Sequence, residues 1–454
     1  MSTTAKDNTT RTRPATRRER LALGLLGAAL AGLLTHHALT LPLPRTLLVA
    51  APRQSRMAED SPANLERQLL ARFAASHGVS LKYVFTATPE EALDMVERGH
   101  AQIGLALGVV PGGETAKEIR AEEHAPKKVA FGPEYDRQTI YAVDWDAGYE
   151  PPARPSGAMD ELLRVAESFS REPRVAPALP LDALHLLLPF VSEVRDVAPT
   201  RREAGYRFVW RKDVPGLDKA MSQFWKQIET DGTLAALRES TIGFLPADPD
   251  PYEMETLRRT VAISLPEHMR AIRRAARRWA LDPFLLAAVI HQESRFDPDA
   301  VSVTGVRGLM QMTGDTLEQL GVKHPDDPAE VIDAGARYLD SLRAQFVEQG
   351  YAREDAMLLA LAAFNVGAGH VQDAIDLSHE TGATPPPWLR VRQMLPKLEE
   401  TDFALNTRYG QCRGGEAVEF VDKVRYFAFA IRGLVLSSAE RDQLPGLRLA
   451  ALTD

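Results

Sequence analysis

Cysteine is nearly missing: Cys412 stands alone among 454 residues. An intrachain disulfide and any cysteine-built metal cluster are therefore excluded, and an exported chain with large enough cores can do without either. Excess basic charge is missing too. The formal net charge is -8 and no long basic stripe lies beyond the N-terminal tail, which argues against a nucleic-acid partner. Compositional bias toward disorder is absent, since 44% hydrophobic and 26% charged residues, with 30 Gly and 31 Pro, describe a folded chain. The length implies two or three domains.

A long apolar run is also lacking. Leu21 to Leu34 is uncharged, but it is too short for a comfortable membrane span unless it extends past His36 and His37 toward Leu43. Lys6, Arg11, Arg13, Arg17, Arg18 and Arg20 all precede it. Residues 1–44 thus read as a basic tail followed by an export signal or membrane anchor, and a buried helix is the weaker reading because the run has no polar face.

From Arg45 strands and helices alternate. "TLLVAAP", "LKYVFTA" and "AQIGLAL" read as strands separated by the helices "NLERQLLARFAASHGV" and "PEEALDMVERGH". Later, "QTIYAVD" and "YRFVWRKD" read as strands and "GLDKAMSQFWKQIETDGTLAALRES" as helices. The spacing predicts an α/β domain over residues 45–245 with a mainly parallel sheet. Residues 246–260, rich in proline and acid, read as a linker. Residues 261–434 read as all-helical, and residues 435–454 as a tail.

Within the helical part, "HQESRFDPDAVSVTGVRGLMQM" raises a chemical question. Asp282 and Pro283 suit a helix start, and Leu286, Val289 or Ile290, and Glu293 then share one face. A glutamate continuing an apolar stripe near a helix C-terminus should have its pKa raised, as a general acid at neutral pH requires. Spacing alone leaves Glu293 equally readable as a surface residue at a fraying end. The following loop favours the chemical reading: Gly305 and Gly308 permit tight turns, Ser302 can donate or accept, and "GLMQM" is expected to begin a helix carrying Gln311. Met310 and Met312 read first as core fillers. Asp297 and Asp299 are the other carboxylates nearby, and Asp297, just before Pro298, is better explained as a turn cap.

"ESRFDPDAVSVTGVRGLMQMTGDTLEQLGV" closely resembles the signature of the soluble-lytic-transglycosylase-type domain of peptidoglycan-cleaving enzymes. "LALAAFNVGAGHV" resembles that family's Ala-Tyr-Asn-x-Gly segment. "YGQCRGGEAVEFVDKVRYF" is similar to the arginine–glycine–glutamate block of the membrane-bound lytic transglycosylases of type F. Residues 45–245 resemble the bilobal solute receptors, with "RKDVPGLDKAMSQFWKQIETDGTLAALRESTIG" as the best local match.

The resemblance implies a bilobal, periplasmic-binding-protein-like α/β domain followed by an all-α, lysozyme-like transglycosylase domain. It implies Glu293 as sole catalytic acid and base, with Ser302, Met310, Gln311, Phe364, Asn365, Glu416 and Phe420 as candidate substrate-binding residues. Peptidoglycan strands are the implied substrate and a muropeptide or amino acid the implied receptor ligand. The implied location is the membrane-associated periplasm; no metal or cofactor is expected. Spacing reads some of these residues more plainly: Asn365 as a left-handed turn residue, and Glu416 as an acid in the first turn of its helix. The chain departs from the pattern at Phe364 and Phe420, where tyrosine is usual. It departs again at Gln102, where amino-acid receptors carry aspartate, and the receptors' clamping arginine has no counterpart in "VVPGGETAKEIR". A goose-lysozyme-like hydrolase and a catalytically silent wall-fragment receptor are the rival readings.

Overall fold

The computed structural model describes residues 43–52, 64–86, 89–111, 128–145, 178–191, 194–303, 305–379 and 387–440. The basic tail, the apolar run Leu21–Leu34 and residues 441–454 lie outside them, as does most of "VVPGGETAKEIR".

The first half opens with two β–α–β units. Strand β1 (Thr46–Pro52), helix α1 (Leu65–His77), β2 (Ser80–Thr86), α2 (Pro89–Glu97) and β3 (Ile103–Pro111) follow in order. Helix α1 ends where the sequence places its glycine, with Gly78 left-handed at φ 64°. Next come β4 (Val129–Phe131), β5 (Asp136–Trp145), β6 (Ala178–Pro180), α3 (Leu181–Leu187), a 3-10 turn (Leu188–Phe190) and β7 (Val194–Arg211). Helices α4 (Leu217–Thr230) and α5 (Thr233–Thr241) close this half.

The sheet corrects the expectation of mainly parallel pairing. Its order is β2-β1-β3-β7-β5-β6, with β4 also on β7. Only β1–β2 and β1–β3 are parallel, as the two crossover helices require. Every other pair is antiparallel, because β7 runs back along β3 at one end and along β5 at the other. Pro199 in β7 has no N–H for its ladder; there the register slips between Thr139 and Tyr141, and the Thr200 hydroxyl donates to the Ile140 carbonyl at 2.7 Å. The core on this sheet comes from Leu65, Leu69 and Phe73 of α1 and Met221, Phe224 and Trp225 of α4, with Phe73 edge-on to Phe224. Gln102 is committed to the sheet, its side-chain oxygen accepting the Leu48 N–H at 2.8 Å.

The stretch expected as a linker is mostly helix. Helix α6 (Pro251–Ile263) starts at Asp250, whose carboxylate accepts the Glu253 N–H. Proline and acid here mark a helix start, and Met254, Leu257 and Val261 are buried. Then follow α7 (Leu265–Arg278), α8 (Pro283–Ser294), α9 (Gly314–Gln319), α10 (Pro328–Glu348), α11 (Arg353–Val366) and α12 (Ala368–His379). Helix α13 (Trp388–Met394), a 3-10 turn (Leu395–Glu399), α14 (Thr401–Ala404) and the long α15 (Gly414–Glu440) complete the chain.

Helix α15 is the spine of this half. It packs against α8 and α11, and it also reaches the first half. The Tyr426 hydroxyl donates to the His185 carbonyl of α3 at 2.7 Å, and Arg258 of α6 donates to the Leu188 carbonyl. One apolar cluster includes both Leu47 and Val435, so the two halves share a core. Among the described residues no helix is long and apolar enough to cross a membrane.

Candidate active site

Helix α8 is the innermost helix of its half. Asp282 caps it by accepting the Phe284 N–H at 2.8 Å, Pro283 opens it, and Leu286 to Ile290 have no exposed surface. A helix apolar on all sides belongs in a core. Glu293 sits one residue from its end, half-buried, and burial pushes its carboxyl up to about 8. The proton is therefore retained at neutral pH.

The backbone beyond Glu293 is unusual. Arg295 and Phe296 are consecutive left-handed residues at φ 53° and 65°, and Gln311 is a third at 47°. Non-glycine residues in this region are strained, and such strain collects at functional sites. The buried Ser294 hydroxyl donates to the Leu309 carbonyl at 2.7 Å, fastening the helix end to the Gly-Leu-Met-Gln segment. Ser294 lies inside the matched motif, yet its role depends on which carbonyl it meets, and spacing alone does not reveal that.

The loop from Asp297 to Thr313 is held by its own polar groups. Asp297 caps a turn by accepting the Asp299 N–H at 2.9 Å. Ser302 closes a small hairpin: its N–H donates to the Val306 carbonyl and its hydroxyl accepts the Val306 N–H. Gly305 and Gly308 take positive φ of 84° and 102°. The Gln311 amide donates to the Ala300 and Gly308 carbonyls at 3.1 and 2.7 Å, so its nitrogen is committed to the loop.

"GLMQM" is not helical, contrary to expectation. Left-handed Gln311 interrupts it, and the helix begins at Gly314, capped by the Thr313 hydroxyl. Met310 is mostly a core residue, though it also lines the cavity beside this loop. It is 1% exposed and lies where a Cβ on Gly335 would meet its sulfur at 2.3 Å, so its side chain fills the core. A cavity of about 760 Å³ opens against this loop, lined among others by Asp299, Arg307, Gln311, Leu317 and Asp326. Glu293 does not line it.

The second motif ends α11. Phe364 is half-buried between Tyr338 and Phe420, at ring distances of 5.7 and 6.5 Å. Asn365 is exposed and still helical, and the left-handed position belongs to Gly367, so the turn reading of Asn365 does not hold. Phe420 is 4% exposed and serves as a packing partner of Phe364, not as a groove surface. In the third motif, a Cβ on Gly414 would stand 1.8 Å from the Leu395 carbonyl oxygen, and the Gly415 N–H donates to Glu399. This glycine pair lets α15 begin against the 3-10 turn. Glu416 is exposed in the first turn of α15 and paired with Arg413 at 2.9 Å.

Ser294 thus fastens the end of the Glu293 helix to the segment that follows the Ser302 hairpin. Phe364 stacks on Phe420 of α15, the helix that also packs against α8. A carboxyl with a raised pKa at the end of a buried helix, with Asp297 committed to a turn, fits a general acid in an all-helical domain that follows an α/β domain.

The Transglycosylase SLT domain family matches residues 270–384. A membrane-bound lytic murein transglycosylase F from Stutzerimonas stutzeri is 37% identical over 422 residues, covering 84% of this chain and 83% of that one. Its namesake from Klebsiella pneumoniae is 37% identical over 419 residues, covering 85% and 79%. Among solved structures, the GluR0 ligand-binding core from Nostoc punctiforme, in complex with L-glutamate, aligns with a TM-score of 0.29 and 15% identity, over 43% of this chain and 99% of that one. The chain belongs to the membrane-bound lytic murein transglycosylase F family. Its second half is all-helical and carries the transglycosylase domain.

Proposed function

We propose that this lytic transglycosylase cuts the MurNAc–GlcNAc bond of peptidoglycan without consuming water, with Glu293 as its only acid and base. Protonated Glu293 gives its proton to the bridging oxygen as that bond to the anomeric carbon breaks. The resulting carboxylate then takes the proton of the MurNAc 6-hydroxyl, whose oxygen bonds to the anomeric carbon. A 1,6-anhydro end is left and Glu293 regains its proton. The observation that carries this reading is the carboxyl held near 8 by burial. A hydrolase of ordinary type needs a second carboxylate across the bond, to activate water or attack the sugar. Asp297, the nearer alternative in sequence, is occupied as a turn cap. Ser302, Gln311, Phe364 and Asn365 are the groove residues in this reading, and Glu416 a second polar residue near the cleft.

Mass spectrometry of digested peptidoglycan tests the proposal. Products should carry anhydro ends, one water lighter than hydrated ends. Exclusively reducing, hydrated ends would assign the chain to hydrolysis.

The protein works in the periplasm in association with a membrane, at the inner face of the outer membrane or tethered by its N-terminal segment to the inner one. The receptor-like half takes a cell-wall peptide. The commitment of Gln102 to the sheet supports a ligand other than a free amino acid held in the usual way. Calorimetry of the full chain carrying Glu293→Gln should give saturable heat with muropeptides and none with free amino acids. Absence of heat with muropeptides would end that assignment.

A further inference from the structure

The loop between α14 and α15 presents an aromatic ring that neither the fold nor the chemistry above accounts for. Tyr409 is 49% exposed, yet its position is tightly fixed. The N–H groups of Arg408 and Tyr409 donate to the two oxygens of Asp373, at 3.1 and 2.8 Å, and Asp373 is 2% exposed. Burying a carboxylate is unfavourable unless it is fully hydrogen-bonded, so this one is committed to holding two residues of a surface loop. The ring itself lies on Gly369: a Cβ there would stand 2.6 to 2.7 Å from Cγ, Cδ1 and Cε1 together, which places the ring flat against the glycine. His370 meets it edge-on at 6.4 Å, and the Arg408 guanidinium lies over part of the ring, 5.3 Å from its centroid. The same loop is pinned further on, where Gln411 donates to the Glu399 carbonyl and the Cys412 N–H to that of Leu398. Gly369 and His370 belong to α12, which begins just past Asn365 and Gly367.

We propose that Tyr409 is a sugar-stacking platform that binds an N-acetylhexosamine ring of the glycan strand beside Asn365. The assignment rests on the glycan-cleaving reading above. An aromatic ring with one face seated and part of its surface open, fixed before any ligand arrives, offers contact area at little entropic cost. The neighbouring guanidinium and imidazole supply hydrogen-bonding groups for hydroxyl and acetamido oxygens. A tyrosine present only to fill space would have no need of a buried carboxylate fixing its backbone.

Steady-state kinetics on soluble glycan strands tests this with the full chain. Tyr409→Ala should raise KM roughly three- to tenfold, with kcat changed by less than about twofold, and Tyr409→Phe should restore KM. An unchanged KM in Tyr409→Ala overturns the proposal. Should that variant fail to fold, Tyr409→Trp in a Glu293→Gln background gives a second readout. Its emission should shift when N-acetylglucosamine oligomers are added, relative to Glu293→Gln alone, and no shift overturns the proposal equally. The oligomer titration needs no turnover, and the KM arm needs no anhydro product. Failure of the non-hydrolytic mechanism is therefore separable from failure of the platform.

Discussion

Glu293→Gln is expected to lower kcat by about 10³- to 10⁴-fold while leaving the fold intact. Glutamine keeps the shape and half the polarity of the side chain but neither donates a proton to the leaving oxygen nor removes one from a hydroxyl. One residue performs both transfers in the proposed reaction, so both are lost at once. Turnover on peptidoglycan, followed by release of anhydro ends, measures this; a fall of under about tenfold would show that another group carries the proton. In the parent chain activity should decline as pH rises through about 8, where burial places the carboxyl's ionisation. Stability gives an independent check. The folded pKa lies above the unfolded value, so the contribution of Glu293 is most favourable below about 4.5 and is lost as pH rises toward 8. Glutamine removes that slope. At pH 7 the variant should be more stable by about 1–2 kcal/mol, a figure discounted for the solvent that the half-buried residue still meets. A variant as inactive as expected but less stable at pH 7 would mean that the carboxylate is solvated or paired.

What was legible in the sequence was local. The Asp282-Pro283 start, the apolar run and the placement of Glu293 follow from capping and helical spacing, and the structure keeps all three. Gly78 as the end of α1 is of the same kind. Features set by distant contacts were not legible. Strand β7 contains Pro199 and five arginines, and only its apolar end reads as a strand; its full length exists because β3 and β5 both pair with it. Helix α6 was hidden by the composition of its own cap. "GLMQM" has helical composition, but Gln311 turns back to hold the carbonyls of Ala300 and Gly308. Met310 and Phe420 fall within groove-like motifs and are core residues, because Gly335 and Phe364 are their neighbours. Asp373 could not be connected with Tyr409 from sequence, since thirty-odd residues and two helices separate them.

Glu239→Ala is the change expected to cost the most stability, by about 3–5 kcal/mol. Glu239 lies on α5 in the α/β half and is 8% exposed. One of its oxygens accepts from the Trp388 indole at 3.1 Å, from Arg392 at 3.3 Å and from Arg425 at 2.7 Å, all in the transglycosylase half. Arg425 also donates to the carbonyls of Glu239 and Ser240 and lies 4.4 Å from the Phe244 ring centroid. Arg392 reaches the Gly243 carbonyl and Asp422. Without Glu239, two poorly solvated guanidinium groups share Asp422 as their remaining carboxylate, and the indole loses its acceptor. Asp422 compensates poorly, because burial first of all pushes its own carboxyl up to about 6, despite the opposing charges of Arg392 and Arg425. Glu239→Gln, which retains an acceptor without the charge, should cost roughly half as much. Denaturant unfolding of the full chain measures both, and a loss below about 1 kcal/mol in Glu239→Ala would mean that water reaches the arginines. The cluster ties α5 to α13 and α15, and α15 in turn packs on α8. Loosening should therefore lower the unfolding midpoint of both halves together, as their common core requires.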